Sequence, residues 1–519
     1  VTAGWRLSRF FRSIPRQDGH AVYHSLLGGL CVVDETVRRT LERFASPIDI
    51  ASAHDADRRL SIAQLDQLVE IFSSKGLLVS NGADERADLT QRLAEIEDQA
   101  QHGGQLGVVQ LVVTNRCNFR CTYCFTNSIY SSEERLRSQE DPRNQTMSCE
   151  DACRYIEAVI AVAKRNGAGS LTIQFFGGEP LLNWPAVRAV LDHLAEGAGH
   201  GLRIDTSIVT NGSLATEEIA ETLREHKVAV VMSYDSPRGT DRVLSSGRQV
   251  TDRLTRSLSI LKRAGNRVVL NTVLSDETFP YFDIDLVDHA FENLVFEIGV
   301  LLSLDPWFYE RHPAEAIVDR LWQVYEHGVQ RGVVITGYWH TIFQQLCQHK
   351  AYRKRLFKTC SGTGCQLSIE PSGAVFACKG SSAYFGHVRD LDGLLRSPRY
   401  RHYARRAFAS PARCVGCEIE GFCSGLCLGP LEKRHGDIFA VHEAACEVYR
   451  LITRRLIHTM ALENTVVYTM SPAEQSPVAN QPALASRIGA NARYKTADRH
   501  RASLHESLDQ PEGLRGSTT

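Results

Sequence analysis

Three cysteines fall within eight residues of the chain, in the stretch TNRCNFRCTYCF from Thr114 to Phe125. Cys117, Cys121 and Cys124 follow a C-x3-C-x2-C pattern. Thiolates bind soft and borderline metals, and a structural zinc or a fully ligated iron–sulfur cluster takes four ligands. Buried structural thiols do not explain such close spacing. A zinc site needs a fourth ligand nearby, and the next cysteine or histidine along the chain is Cys149. The third reading is a [4Fe–4S] cluster with one iron open to an exogenous ligand, which is favoured over zinc because catalytic metal sites keep a position free where structural ones close it.

A second group of thiols lies towards the C-terminus. It comprises Cys360, Cys365 and Cys378 (the last within Gly373-x4-Cys378), then Cys414-x2-Cys417-x5-Cys423-x3-Cys427, and Cys446. Eight thiols make two sets of four, which by spacing suit two closed [4Fe–4S] clusters or two structural zincs alike. The other four cysteines, Cys31, Cys149, Cys153 and Cys347, read as ordinary buried thiols.

These clusters have to be positioned by a chain of 519 residues, long enough for two to four domains. Hydrophobic residues make up 43% and charged residues 23%, as in a water-soluble globular protein. With 59 basic against 60 acidic residues, no global attraction to nucleic acid or anionic membrane is expected. No apolar run approaches the roughly 20 residues of a membrane span. The first residues, VTAGWRLSRFFRSIP, show no apolar core or small-residue cleavage site of a signal peptide. A cytoplasmic location follows as an expectation, and there metal ligation explains fifteen cysteines better than disulfides do.

Residues 1–80 read as a small α+β unit. A hairpin is expected around Leu-Gly-Gly, with strands near Ala21–His24 and Leu30–Val33. Asp34 can cap a helix through ETVRRTLERF, and Ser61 with Gln64 forms a capping box for SIAQLDQLVEIFSS, whose apolar face is Leu65, Leu68, Val69 and Phe72. Residues 81–105 read as a polar, partly helical linker. From 106 to 305, six strands alternate with helices, starting at LGVVQLVVT just before the triplet. Continuous apolar strands with right-handed crossovers imply a parallel sheet curled into a partial or full barrel, with catalytic loops at the strands' C-terminal ends. Residues 306–356 read as a helical bridge, 357–450 as the cysteine-rich domain, and 451–519 as a largely disordered tail poor in periodicity.

The triplet after the first strand, with Tyr123 before its last cysteine, resembles the signature of radical S-adenosylmethionine (SAM) enzymes. GGEP (Gly177–Pro180), TNG (Thr210–Gly212) and SYD (Ser233–Asp235) follow on the next three strands in that family's order. The resemblance implies an α/β fold with a partial (β/α)6 TIM-like barrel. It also implies a cluster on Cys117, Cys121 and Cys124 whose open iron chelates SAM, and reductive cleavage of SAM to a 5′-deoxyadenosyl radical. Tyr123, Gly177, Gly178, Glu179, Asn211, Ser233 and Asp235 would then line the SAM site. Relatives continue past the equivalent of Asp235 with a Gly-Pro turn, a His-Asp pair and an arginine. This chain has Ser236-Pro237, Thr240-Asp241 and Leu244, so no roles are carried beyond Asp235.

The C-terminal array resembles the SPASM extension of radical SAM peptide-modifying enzymes. By that resemblance Cys360, Cys365, Cys378 and Cys427 hold one auxiliary [4Fe–4S] cluster, and Cys414, Cys417, Cys423 and Cys446 a second, either relaying an electron or holding the fold. Residues 1–80 resemble in pattern a winged-helix-like leader-recognition domain, which would add a precursor peptide as a strand to a sheet edge. The expectation is a radical SAM maturase that abstracts hydrogen from a ribosomally made precursor. It would install a thioether or carbon–carbon crosslink, or another side-chain or backbone change, with a flavodoxin- or ferredoxin-type electron donor. Two alternatives stand beside it. A sulfatase-type formylglycine maturase carries an acidic base after the cysteine of the G-x4-C element, where this chain has Lys379. A non-enzymatic zinc-binding adaptor would have only structural cysteines.

Overall fold

The computed structural model describes residues 4–459 apart from 57, 102, 122, 126–144, 239–241, 243, 245–249, 348–357 and 359, together with 467–470 and 484–487. The N-terminal unit contains β1 (Trp5–Leu7), β2 (Phe11–Arg16), β3 (Gly19–His24), β4 (Gly28–Val33) and β5 (Leu78–Ser80). β2, β3 and β4 form an antiparallel meander, and β1 pairs with β5. The hairpin turns where expected, because Gly28 (φ 72°) and Gly29 (φ 74°) lie in the left-handed region that favours glycine. β2 was not read from the sequence. Its FRSIPR pattern carries Pro15 and three polar or basic residues, which is edge-strand chemistry rather than an apolar alternation.

Three helices cover this unit: Glu35–Arg43, Ile50–Ala56 and Ile62–Ser74. The Asp34 carboxylate accepts from the Val37 N–H at 2.8 Å. The capping box of the third helix is complete, with Ser61 Oγ accepting from Gln64 N and Gln64 Oε1 accepting from Ser61 N. Its apolar face, Leu65, Leu68, Val69 and Phe72, packs against Val37, Leu41 and Phe44 to form a core of its own. Residues 85–101, within the expected linker, form one continuous helix that packs against the helix Pro398–Arg405.

The central sheet runs through β6 (Val108–Thr114), β7 (Ser170–Gly177), β8 (Arg203–Thr210), β9 (Ala229–Ser233), β10 (Val268–Leu274) and β11 (Glu297–Leu302), all parallel and in sequence order. A seventh parallel strand, β12 (Val334–Thr336), comes from the stretch expected to be a largely helical bridge. The opposite edge is extended by the C-terminal region. β13 (Gln366–Ile369) pairs parallel to β6, and β14 (Ala374–Phe376) and β15 (Tyr384–His387) follow antiparallel. The ten-stranded order β12-β11-β10-β9-β8-β7-β6-β13-β14-β15 leaves β12 and β15 as the two ends, so the barrel is partial among the described residues. Covering helices such as Cys149–Arg165, capped by Ser148, bury Ile156, Val159 and Ile160 against the sheet. The same core reaches Ala21, Tyr23 and Leu30 of the N-terminal meander.

The helix Glu443–Thr459 runs past residue 451, where the tail was expected to begin. Beyond it, β16 (Val467–Met470) pairs parallel to β4, and β17 (Leu484–Arg487) pairs antiparallel to β16. The N-terminal sheet thus has the order β17-β16-β4-β3-β2. The remaining residues expected to be disordered, within 460–519, lie outside the described ones. Among the described residues no helix is long and apolar enough to cross a membrane.

Candidate functional site

β6 ends at Thr114 and leads straight into the loop of Cys117, Cys121 and Cys124. The end of β7 is pressed against that loop. Gly178 N donates to Thr114 O at 2.9 Å, and Glu179 N donates to Arg116 O at 2.8 Å. A Cβ on Gly177 would stand 2.4 Å from Thr114 O, and one on Gly178 would stand 2.4 Å from Arg116 O. The paired glycines of GGEP are therefore required by the backbone approach itself.

Glu179 is fully buried, and its carboxylate accepts from Thr210 Oγ1 at 2.6 Å, Asn211 N at 2.7 Å and Leu181 N at 3.0 Å. Burial pushes its carboxyl up to about 7 against the pull of those donors. The side chain ties the end of β7 to the end of β8, and a carboxylate keeps further lone-pair capacity for a cationic ligand. Asn211 Nδ2 donates to Asn118 Oδ1, and Asn118 Nδ2 donates to Ser213 Oγ, both at 2.9 Å. TNG thus anchors the triplet loop through Asn118, and Ser213 joins a site in which the sequence reading had not included it.

On the far side, the Tyr123 hydroxyl lies 2.8 and 2.7 Å from the two carboxylate oxygens of Asp235. Arg242 Nε donates to the same carboxylate at 3.1 Å, and its guanidinium stands 5.3 Å from the centre of the Tyr123 ring. A backbone bridge between Phe119 and Leu244 closes this clamp. Arg242 was missed by sequence reasoning because the spacing after Asp235 departs from the anticipated pattern. An arginine directly after Asp241 was the available signal. Ser233 ends β9 at the same end of the sheet. The ends of β6 to β9 therefore gather all the expected SAM-lining positions around the triplet. Replacing Arg242 with methionine leaves the buried Asp235 without its cation. Destabilisation by about 3–5 kcal/mol is expected, measurable by urea unfolding.

Seven of the eight C-terminal thiols fall into two neighbourhoods. Cys446 is under the electrostatic influence of Cys423, Cys414 and Cys417. Cys427 is likewise influenced by Cys360, and both Cys360 Sγ and the Cys378 Cβ lie within 4 Å of where a Gly362 Cβ would be. Cys365 is pinned by its carbonyl, which accepts from Gly107 N and Val108 N at the start of β6. Burial pushes the Cys423 thiol up to about 11 and those of Cys427 and Cys446 up to about 12, so thiolates at these positions need a cationic partner. All fifteen cysteines are free of disulfides. Among the described residues no three His, Cys, Asp or Glu side chains converge to hold one metal ion. A four-iron cube takes each thiolate on a different iron and so uses a wider ligand set.

Between the two cysteine regions lies a closed ring of three buried side chains. Lys379 Nζ donates to Asn115 Oδ1 at 2.7 Å and to Glu370 Oε1 at 3.2 Å, while Asn115 Nδ2 donates to Glu370 Oε2 at 2.7 Å. Lys379, Glu370 and Asn115 are 1%, 3% and 5% exposed. Each bonds both others, so the ring couples the loop before Cys117 to the loop after Cys378.

Residues 111–283 match the model of the Radical SAM superfamily. The radical SAM cyclopropyl synthase TigE of Paramaledivibacter caminithermalis is 42% identical over 452 residues, spanning 87% of this chain and 95% of TigE. The chain belongs to the radical SAM superfamily. As a radical SAM protein it is an enzyme of S-adenosylmethionine and [4Fe–4S] chemistry, and the zinc-adaptor alternative falls. The cysteine-type anaerobic sulfatase-maturating enzyme of Clostridium perfringens is 22% identical over 331 residues, which is 60% of this chain and 85% of that enzyme. Among solved structures, anSMEcpe with bound AdoMet and Cp18Cys peptide shares the radical SAM fold. Its TM-score is 0.55 at 19% identity, over 68% of this chain and 97% of that one.

Proposed function

We propose that this radical SAM enzyme modifies a ribosomally made precursor peptide by removing two hydrogens and closing a carbon–carbon bond within it. The type of bond is taken from the cyclopropyl synthase at 42% identity. The observation that carries the reading is the contrast between an open set of three thiols at the barrel end and eight thiols beyond β12, of which Cys414, Cys417, Cys423 and Cys446 form one neighbourhood and Cys360, Cys378 and Cys427 another. In this reading Cys117, Cys121 and Cys124 hold the SAM-binding cluster. Cys360, Cys365, Cys378 and Cys427 hold the first auxiliary cluster, and Cys414, Cys417, Cys423 and Cys446 the second.

SAM and a cluster held by Cys117, Cys121 and Cys124 would supply a 5′-deoxyadenosyl radical for removal of one substrate hydrogen as an atom, and the second hydrogen would leave as a proton with its electron passing to an auxiliary cluster as the C–C bond closes. The chain's own residues do the positioning. Gly177 and Gly178 let the end of β7 close on the triplet loop and so bring their backbone to the SAM site, and Glu179 offers a carboxylate to the ligand's ammonium. Asn211, Ser233 and Asp235 line the ends of β8 and β9, and Tyr123 is held by Asp235 and Arg242. The domain boundaries proposed are 1–80 for leader recognition, 106–305 for the radical SAM core and 357–450 for the SPASM region. A flavodoxin- or ferredoxin-type donor provides the reducing electron. The formylglycine alternative has less support, because the position after Cys378 is occupied by Lys379, whose ammonium is ion-paired to Glu370 at 3.2 Å.

Anaerobically reconstituted protein tests the reading. About twelve irons per chain are expected for three clusters, with 5′-deoxyadenosine formed from SAM. A synthetic precursor taken from a neighbouring short reading frame should lose the mass of two hydrogens. Zinc in place of iron would remove the three-cluster assignment. An unchanged precursor mass would remove the proposed reaction.

A further inference from the structure

Two edges of the N-terminal meander are available in principle to an added strand, and they differ in kind. The β2 edge is covered. Pro15 has no N–H to offer, its carbonyl lies 3.0 Å from His458 Nδ1, and Arg16 donates to the Ile457 carbonyl. The helix Glu443–Thr459 thus lies against that side. The β4 edge is different. Its first residues are blocked, since Gly28 sits so close to the helix Tyr338–Cys347 that a Cβ would stand 2.6 Å from Leu346 O. Its last residues, Val32 and Val33, are paired instead with β16, Val467 opposite Val32 and Tyr468 opposite Val33. The helix Glu35–Arg43 follows β4 directly and runs beside β16. The slot between the end of β4 and this helix accepts one extended chain, running parallel to β4.

Its occupant belongs to the same chain. Among the described residues β16 is held to β4 over a two-residue register, whereas β2 pairs with β3 over six residues from Phe11 opposite His24 to Arg16 opposite Gly19. A strand attached by so short a ladder exchanges readily with another that offers the same backbone donors and acceptors, because backbone hydrogen bonds supply the affinity in strand addition. We propose that Val467–Met470 is an internal competitor for the peptide slot on β4, and that a precursor's leader binds by displacing it. This rests on the reading of residues 1–80 as a leader-binding domain. It adds to that reading a location, an orientation and a built-in competition: the leader runs parallel to β4 opposite Val32 and Val33, and the tail sets the threshold it must overcome.

The test uses the full chain and a fluorescein-labelled peptide with the sequence of residues 463–474, ENTVVYTMSPAE. The double substitution V467P/Y468P removes the N–H groups of both paired residues in the tail and leaves β4 untouched. The labelled peptide is expected to bind the V467P/Y468P chain at least tenfold more tightly than the unsubstituted chain, measured by fluorescence anisotropy. Amide exchange should quicken in the variant at the one of Val32 and Val33 whose N–H faces β16 rather than β3, and slow again when the peptide is added. Equal affinity for both chains would place the peptide elsewhere, such as on the outer edge of β17, and overturn the proposal, as would unchanged exchange in the variant. A final arm adds an unlabelled precursor peptide from a neighbouring short reading frame. If it displaces the label, leader and tail share the slot. If the labelled peptide binds the variant but the precursor leaves it in place, the leader-recognition reading falls, and the tail remains a strand of the chain's own fold.

Discussion

Replacing Cys117, Cys121 and Cys124 together with alanine is expected to abolish formation of 5′-deoxyadenosine. Iron in the reconstituted protein should fall from about twelve to about eight per chain, the loss of one cluster of four. The fold should survive. The loop is anchored by groups other than its thiols: Asn118 bonds Asn211 and Ser213, Tyr123 bonds Asp235, and the Arg116 carbonyl accepts from Glu179 N. Circular dichroism and the urea midpoint should therefore stay close to those of the unsubstituted protein. The two results together separate a ligand role from a structural one. Iron unchanged at about twelve with SAM cleavage retained would assign the triplet's chemistry to other residues. A collapsed fold would show that the thiols carry packing the anchors do not replace.

The second large effect is expected at Lys379. Substitution by methionine removes the ammonium that is ion-paired to the buried Glu370 carboxylate, and breaking a buried pair in this way typically costs about 3–5 kcal/mol. Domains are stable by only about 5–15 kcal/mol, so the loss should be conspicuous in urea unfolding. The companion variant K379M/E370Q removes the stranded charge while keeping an acceptor for Asn115, and it should recover at least half of the loss. Recovery would show that the penalty lies in the unpaired carboxylate rather than in the lysine's packing. Because Asn115 stands two residues before Cys117, SAM cleavage should also fall in the folded fraction of K379M. A Lys379 that served only as a surface group would change neither measurement. The same ring explains why a lysine follows Cys378 in this chain. A carboxylate in its place would face Glu370 without a cation between them.

The elements most visible in the sequence were those with local causes. Asp34 and Ser61 cap the helices expected of them because a capping bond spans three residues and needs no partner from elsewhere. The parallel order β6 to β11 follows from apolar strands spaced by helix-length segments, and the structure adds that β12 extends the sheet at one edge and β13 to β15 at the other. β2 was hidden because an edge strand with Pro15 and alternating charge looks like a loop until its neighbour is known. Helix 85–101 was read as linker for a related reason: its polar sequence shows little of an apolar face, and contact with the helix Pro398–Arg405 settles its place.

At the site, the triplet and GGEP could be placed by type and spacing, since close-set thiols and paired glycines each have few other uses. Arg242, Ser213 and the ring of Asn115, Glu370 and Lys379 could not. Their partners lie from two to 264 residues away. Nothing in a linear sequence says that β13 closes against β6 and so carries Glu370 to Asn115. By itself, then, the sequence determined where the close-set thiols and paired glycines lie and the order of the strands that present them, because both depend on residue type and short spacing. Only the tertiary structure decided which charges are buried together and which strand fills the edge of β4. Those depend on the path of the chain through space, and burial converts that path into energy.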